Sequence, residues 1–288
     1  MQLPRISVLM PTWNAEAFLS EAVESILAQS FDEFELLVVD GSSTDKTLSI
    51  LAGYRDPRIR ILQAPEKGIR AALNFGIREA RAPWIARHDA DDISLPERFE
   101  VQWKALQRNG NAMFSHTNYE FIGEGKDTIG HSRFPRSRAM LALRLCWHCP
   151  VAHGSVIFNK KAAIELGGYR TQQAEDYDLW GRFVESAPCV GIPDRLLKFR
   201  VHSVSASQRH REMMQQCARE IGLNHCRRFM NLSPEDAERA HSILVNPDDR
   251  RWKEWCWLVT RCIPRLRWKS LEMYSWVGLQ TIKLFKKL

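Results

Sequence analysis

Trp84-Ile-Ala-Arg-His-Asp-Ala-Asp-Asp92 decides the fold: a short strand-like run breaks into three carboxylates within four positions. Pro96 follows in the first turn of an amphipathic helix reaching Asn109. Working back from that stretch, Ile69 to Ala80 reads as a helix and Ile59 to Leu62 as a short strand. Before them, the strand Phe34 to Val39 ends in Asp40-Gly-Ser-Ser-Thr-Asp45, where Thr44 and Asp45 suit the N-cap of a helix through Leu51. The first strand, Ile6 to Met10, is stopped by Pro11. A helix from Glu16 to Gln29 follows, with Phe18, Leu19, Ala22, Val23, Ile26 and Leu27 at helical spacing. Strands alternating with helices predict an α/β fold around a mostly parallel sheet. The acidic strings follow strands, so they lie at carboxyl ends, where open α/β sheets bind ligands.

Downstream, from Ala112 to Val201, the pattern is less regular. Val151 to Phe158 reads as a strand, followed by a short helix ending at Gly167-Gly168. A helix over Asp176 to Glu185 precedes strands near Val190 and over Leu196 to Val201, and from Ser205 onward helix predominates. The 288 residues, 44% apolar and 26% charged, suit one α/β domain over 1–205 and a helical region over 206–288. No apolar run approaches a membrane span, no secretory signal opens the chain, and seven scattered cysteines form no disulfide framework. A cytoplasmic setting is expected. The formal charge of +7 is carried by one end. Residues 250–288 hold ten Lys/Arg and two Asp/Glu, a net of +8, with five of the ten tryptophans. The remaining chain is at −1, which argues against a nucleic-acid groove on the main body.

Asp89, Asp91 and Asp92 repel one another, and a hard divalent cation with oxygen ligands relieves that repulsion. On local sequence alone, a solvated acidic loop with Asp92 or Ser94 capping the next helix explains the string equally well. Asp40 can accept hydrogen bonds from a ribose or base, or can simply shape a βα turn. Neither a Gly-rich dinucleotide loop nor a Walker loop is present, so phosphates need another partner. Glu175-Asp176-x-Asp178 can complement a helix dipole or place a general base at the mouth of a site. His153 opens a strand. Cys146 and Cys149 have metal spacing without a second pair, which favours ordinary thiols over zinc.

Together the strings resemble the family 2 glycosyltransferases of GT-A fold, from about Arg5 to Ser205. The blocks, in the family's order, are Ser7-Val-Leu-Met-Pro-Thr-Trp-Asn14, Val38-Val-Asp-Gly-Ser-Ser-Thr-Asp45, Gly68-Ile-Arg-Ala-Ala-Leu-Asn-Phe-Gly76, Ala86-Arg-His-Asp-Ala-Asp-Asp-Ile93, His153-Gly-Ser155, Gly167-Gly-Tyr169 and Ala174-Glu-Asp-Tyr-Asp-Leu-Trp180. The resemblance implies that Pro11, Thr12 and Asp40 line a nucleotide pocket. Asp89 and Asp91 fall on the DxD motif, with Asp91 the expected ligand of Mg²⁺ or Mn²⁺. Asp176 falls on the catalytic base, with Glu175 beside it. His153, Arg200 and His202 fall on the acceptor and diphosphate side. Gly41 stands where a second carboxylate is common, and His88 where an apolar residue is common. The implied activity is inverting, metal-dependent hexosyl transfer from a nucleotide sugar, with UDP the commonest nucleotide in the family. The implied acceptor is a hydroxyl of a glycan or lipid-linked glycan in surface polysaccharide synthesis. At an ordinary pKa of about 3.9 the Asp176 carboxylate would be a weak base.

In the tail, Trp252, Trp255, Cys256, Val259 and Cys262 form an apolar stripe among Arg250, Arg251, Lys253 and Arg261. Interfacial helices have this make-up, which predicts peripheral contact with an anionic membrane on the cytoplasmic face. Helices docked on the enzyme body are the rival reading. Competing functions are a sugar-nucleotide nucleotidyltransferase and a catalytically silent nucleotide-sugar or membrane-binding module.

Overall fold

The computed structural model describes residues 3–202, 211–245, 252–267 and 269–285. The strands are β1 (Ile6–Thr12), β2 (Phe34–Asp40), β3 (Ile59–Gln63), β4 (Trp84–Arg87), β5 (Ile93–Ser94), β6 (Phe114–Ile122), β7 (Thr128–His131), β8 (Val156–Asn159) and β9 (Cys189–Arg200). Helices α1 (Leu19–Leu27), α2 (Thr47–Gly53), α3 (Ile69–Glu79) and α4 (Arg98–Arg108) alternate with the first strands. They are followed by α5 (Arg138–Arg144), α6 (Lys160–Glu165), α7 (Glu175–Ser186), α8 (Arg211–Met230), α9 (Pro234–Val245), α10 (Trp252–Trp257) and α11 (Leu271–Phe285).

One nine-stranded sheet runs β3-β2-β1-β4-β8-β6-β9-β5, with β7 hydrogen-bonded to β6. Its first half, β3-β2-β1-β4, is parallel throughout. In the second half β8 is antiparallel to β4 and β6, whereas β6 and β9 are parallel. The parallel character expected from the sequence therefore belongs to the amino-terminal half, and the complete sheet is mixed.

Alternation along β1 sorts its side chains between two cores. Ile6, Val8 and Met10 pack with α1 and α4 on one face, and Leu9 packs with α3, α5 and α7 on the other. Helix α3 lies close because Gly76 has no Cβ: one built there would sit 2.2 Å from Leu9 Cδ1. The first strand continues through Pro11 to Thr12 rather than stopping before the proline. The His88 N–H donates to the carbonyl of Leu9, the last residue of β1 paired with β4. Pro11 faces the same side two residues on, where β4 has left the sheet and a missing N–H costs no ladder bond. Downstream, the two strands expected near Val190 and Leu196 are one strand, β9, with register shifts opposite Thr117 and Asn118.

The carboxyl-terminal helices share the body's core. Cys226, Phe229 and Met230 of α8 are buried with residues of α5 and α7. Trp255, Leu258, Cys262, Ile263, Leu266, Met273 and Val277 belong to the same cluster. Trp276 stacks on Trp147 at 5.6 Å, and Trp255 Nε1 donates to Thr281 Oγ1 at 3.0 Å. The stripe containing Trp255 and Cys262 thus faces the enzyme, which corrects its assignment as the membrane-facing side. The stripe satisfies the burial requirement of a docked helix as well as that of an interfacial one. The 205/206 boundary, Arg250, Arg251, Trp268 and the last three residues lie outside the described residues. No described helix is long and apolar enough to cross a membrane.

Candidate active site

The loop Asp89–Asp92 leaves the carboxyl end of β4, and its shape is set from beneath by Arg98. This buried guanidinium donates to the carbonyls of Arg87 (2.9 Å) and Val156 (3.2 Å), to Ser94 Oγ (2.9 Å) and to Gln102 Oε1 (3.0 Å). It thereby joins β4, β5 and β8 below the acidic loop, and burial holds its pKa down to about 9. His88 is fully buried, with Nε2 3.3 Å from Ser25 Oγ, and burial drives its pKa well below the ordinary value. A neutral ring linking α1 to the end of β4 accounts for the histidine that the sequence left unexplained.

Two clusters follow from this loop. In the first, Arg87 donates to Asp89 Oδ1 at 2.6 Å, while its Nε and Nη1 are buried without hydrogen-bond partners. Desolvation pushes Asp89 up, with Arg87 pulling it down and Asp91 adding to the rise. Asp92 is 1% exposed; one oxygen accepts the Arg200 N–H at 2.9 Å and Oδ2 has no partner. Burial, with Asp89 and Asp91 nearby, pushes Asp92 well above the carboxylate range. A Cβ on Gly154 would lie 2.8 Å from Asp92 Oδ2 and 3.4 Å from Asp89 Oδ2, so only glycine lets this turn approach the acids.

Glu175 and Asp176 complete that cluster as the first residues of α7. Tyr177, Trp180 and Phe183 anchor the helix in the core, and Tyr177 donates its hydroxyl to the Leu145 carbonyl at 2.6 Å. Ala174 holds a left-handed φ of 52°, a strained entry that starts the helix on the two acids. Desolvation, with Asp176 adjacent, lifts Glu175 to about 7. Desolvation lifts Asp176 to about 6 against a bond from the Tyr177 N–H, with Asp89 adding to the rise. The unshifted aspartate expected from sequence is corrected: dehydration makes Asp176 a stronger base than its residue type implies. Asp178 is instead paired with Arg182 at 2.5 Å. His153 Nε2 is 2.8 Å from Tyr169 Oη and its Nδ1 is 3.8 Å from Glu175. Burial, with Arg87 nearby, keeps its ring neutral.

The second cluster surrounds Asp91, whose Oδ2 is 2.8 Å from Nε2 of His202. His202 Nδ1 is buried without a partner, and its ring lies 5.0 Å from Phe18. Among the described residues no three His, Cys, Asp or Glu side chains form a ready cage for a metal. One carboxylate and one imidazole still fit Mg²⁺ or Mn²⁺, which leave most positions to water and phosphate oxygens. Arg200 lies behind this pair with a fully buried guanidinium. It donates to the Asp91 carbonyl (2.8 Å), the Glu124 carbonyl (3.0 Å) and Glu21 Oε2 (2.6 Å). It holds the loop in place rather than presenting donors to a ligand.

Pro11, Thr12 and Asp40 lie at the neighbouring carboxyl ends of β1 and β2, with Thr12 opposite Asp40. Asp40 is fully buried. It accepts from Thr12 Oγ1 (3.2 Å), Ser43 Oγ (2.5 Å) and the N–H groups of Ser42 and Ser43 (3.0 and 2.9 Å). Its carboxylate therefore shapes the turn, which carries Ser42 at φ 69°. Trp13, not singled out from sequence, is 58% exposed and stands beside Gly41. The sequence gives no role to Arg87 and Tyr169, which stand inside quoted blocks, or to Arg98; a lone arginine at the end of an apolar strand is the signal for the first. Cys146 and Cys149 donate their thiols to backbone carbonyls, and burial pushes both well above the ordinary thiol value.

A strand-end acidic loop opposite a carboxylate pair on a helix start, over a mixed sheet, defines a glycosyltransferase of GT-A fold. Residues 7–167 match the model for glycosyl transferase family 2, and the chain belongs to that family. Among its relatives is EpsE of Bacillus subtilis, named as a glycosyltransferase, at 34% identity over 63% of this chain and 67% of that one. The O-antigen biosynthesis glycosyltransferase WbnJ of Escherichia coli is 28% identical over 72% of this chain and 83% of its own. The fold is similar to that of S. aureus TarS 1–349 solved with UDP-GlcNAc. That likeness has a TM-score of 0.65 and 15% identity, covering 98% of this chain and 89% of that one.

Proposed function

We propose that this glycosyltransferase is an inverting enzyme that transfers a sugar from a nucleotide diphosphate donor, UDP in first place, to a glycan hydroxyl. The observation that carries this reading is the place of Asp176, in the first turn of α7 and within electrostatic reach of Arg87 and Asp89 at the carboxyl end of β4, where burial raises its carboxyl to about 6. Its carboxylate takes the proton of an acceptor hydroxyl as that oxygen attacks the anomeric carbon. The bond from that carbon to the diphosphate oxygen breaks on the opposite face. An α-linked donor gives a β-glycoside. Glu175 and His153 orient the acceptor side, and Trp13, beside Gly41, stands at the nucleotide end of the site. Asp91 and His202 would hold the cation, which supplies charge neutralisation to the departing diphosphate. The UDP and UDP-GlcNAc bound to TarS support a UDP-linked donor.

The acceptor is a glycan or lipid-linked glycan of surface polysaccharide synthesis, a reading supported by the O-antigen relative. Peripheral membrane contact through 250–288 is assigned to the outward side of the tail. Leu271, Tyr274 and Leu279 are exposed there at 87%, 48% and 58%, and Arg261, Arg265 and Lys269 are exposed in the preceding segment. A panel of nucleotide sugars tests the donor reading by thermal stabilisation and by hydrolysis without acceptor, each with Mn²⁺ and with chelator. Metal-dependent stabilisation and hydrolysis by one nucleotide class is expected; neither response to any donor would overturn it.

A further inference from the structure

Four arginines converge on a cleft that the reaction leaves unused. The cleft has a volume of about 410 Å³ and is lined by Arg133, Arg136, Arg144, Arg195, Glu272 and Trp276 among others. It forms where the segment after β7, helix α5, strand β9 and helix α11 meet, so the carboxyl-terminal region supplies one wall. The buried arginines elsewhere are engaged: Arg87 with Asp89, Arg182 with Asp178, Arg200 with Glu21. Among the described residues, no hydrogen bond or ion pair engages the side chains of the four cleft arginines. Arg144 Nε is buried without a partner. Glu272, the one acid in the lining, accepts the N–H groups of Arg136 (3.0 Å) and Ser137 (2.8 Å) and offsets part of the charge of Arg144. The cleft therefore carries a surplus of positive charge beside the apolar face of Trp276.

Its position fits the acceptor side. The loops assigned to the nucleotide end β1 and β2, whereas the cleft borders β6 and β9 in the other half of the sheet. Phe134, in the cleft wall, packs 5.0 Å from Tyr119. The Tyr119 hydroxyl is pushed up by burial and, to smaller degrees, by Cys149, Asp92 and Asp176. The cleft thus lies on the Tyr119 side of the sheet, and the Tyr119 hydroxyl is within electrostatic reach of Asp92 and Asp176.

We propose that this cleft binds a phosphate or diphosphate group carried by the acceptor. Guanidinium forks match phosphate oxygens two at a time, and several unpaired arginines suit a multiply charged anion better than a single carboxylate. The inference rests on the glycosyltransferase reading and adds the chemistry of its acceptor.

Calorimetric titration of the full chain, in excess Mg²⁺ throughout and with UDP saturating the donor pocket, tests it with two probes: inorganic pyrophosphate and farnesyl diphosphate in detergent. Both are expected to bind. Arg144→Gln/Arg195→Gln should weaken both at least tenfold. Arg133→Gln/Arg195→Gln, which changes only exposed side chains, should do the same and covers a folding failure of the first variant. Unchanged affinity in a folded variant, or loss of pyrophosphate binding once UDP is present, overturns the cleft. Binding of pyrophosphate without farnesyl diphosphate marks a free-anion site and overturns the acceptor assignment. UDP is also titrated alone. No UDP binding fails the donor reading, whereas UDP binding without pyrophosphate binding fails the cleft.

Discussion

Asp176 illustrates how residue type and environment divide the chemistry. Its position at a helix start is readable in sequence; its basicity is not, because desolvation depends on residues far apart in the chain. The Asp176→Asn variant keeps shape and hydrogen bonding but cannot accept the proton. Turnover should fall by about 10² to 10⁴-fold with donor affinity retained, and equal loss of both would mark a structural role. A carboxyl lifted to about 6 takes up a proton on folding, so its contribution favours the native state at low pH. That contribution is lost as pH rises from about 4 through about 6. The same substitution should therefore leave the melting temperature at pH 8 equal to or above that of the wild type. Wild-type turnover should rise with pH between about 6 and 7, as Asp176 and Glu175 ionise. Asp91→Ala should abolish metal-dependent nucleotide binding while leaving the fold intact. Full transfer in that variant would remove the cation from the account.

At the scale of elements, the site depends on a turn as much as on its acids. The 3₁₀ turn His153–Ser155 passes against Asp89 and Asp92 at Gly154. A Gly154→Ala methyl group has no room unless the acidic loop shifts. Overpacking of this kind costs about 1–3 kcal/mol, and a displacement near 1 Å of catalytic groups costs about 10²-fold in rate. Activity should thus fall much further than the melting temperature, and normal kinetics would show that the loop adapts. The sequence marked β1 to β4 and their helices because apolar periodicity is strong there. It left β6 obscure because Ser115, His116, Thr117 and Asn118 are buried polar residues inside a core strand. Likewise β9 reads as two strands because Gly191, Pro193 and Asp194 interrupt its apolar pattern, while the neighbouring strand absorbs the irregularity by register shifts.

Across the whole molecule, the basic, tryptophan-rich tail is part of the enzyme's core. Leu258, Ile263, Leu266 and Met273 are at most 2% exposed. Each such side chain contributes about 1.5–3 kcal/mol on burial, so the four together approach the net stability of about 5–15 kcal/mol of an ordinary domain. Truncation before Arg250 should therefore yield aggregated protein with no transfer to any acceptor. A soluble, active truncation would show that the tail folds apart from the body. Charge segregation was visible in sequence, but the direction of the apolar stripe was not, since a membrane and a protein core make the same demand of a helix. The central claim, a single displacement at the anomeric carbon, is tested most directly by proton NMR of an α-linked UDP-sugar during acceptor-free hydrolysis. The account predicts that the β-anomer of the free sugar appears first and equilibrates afterwards; initial release of the α-anomer would contradict it.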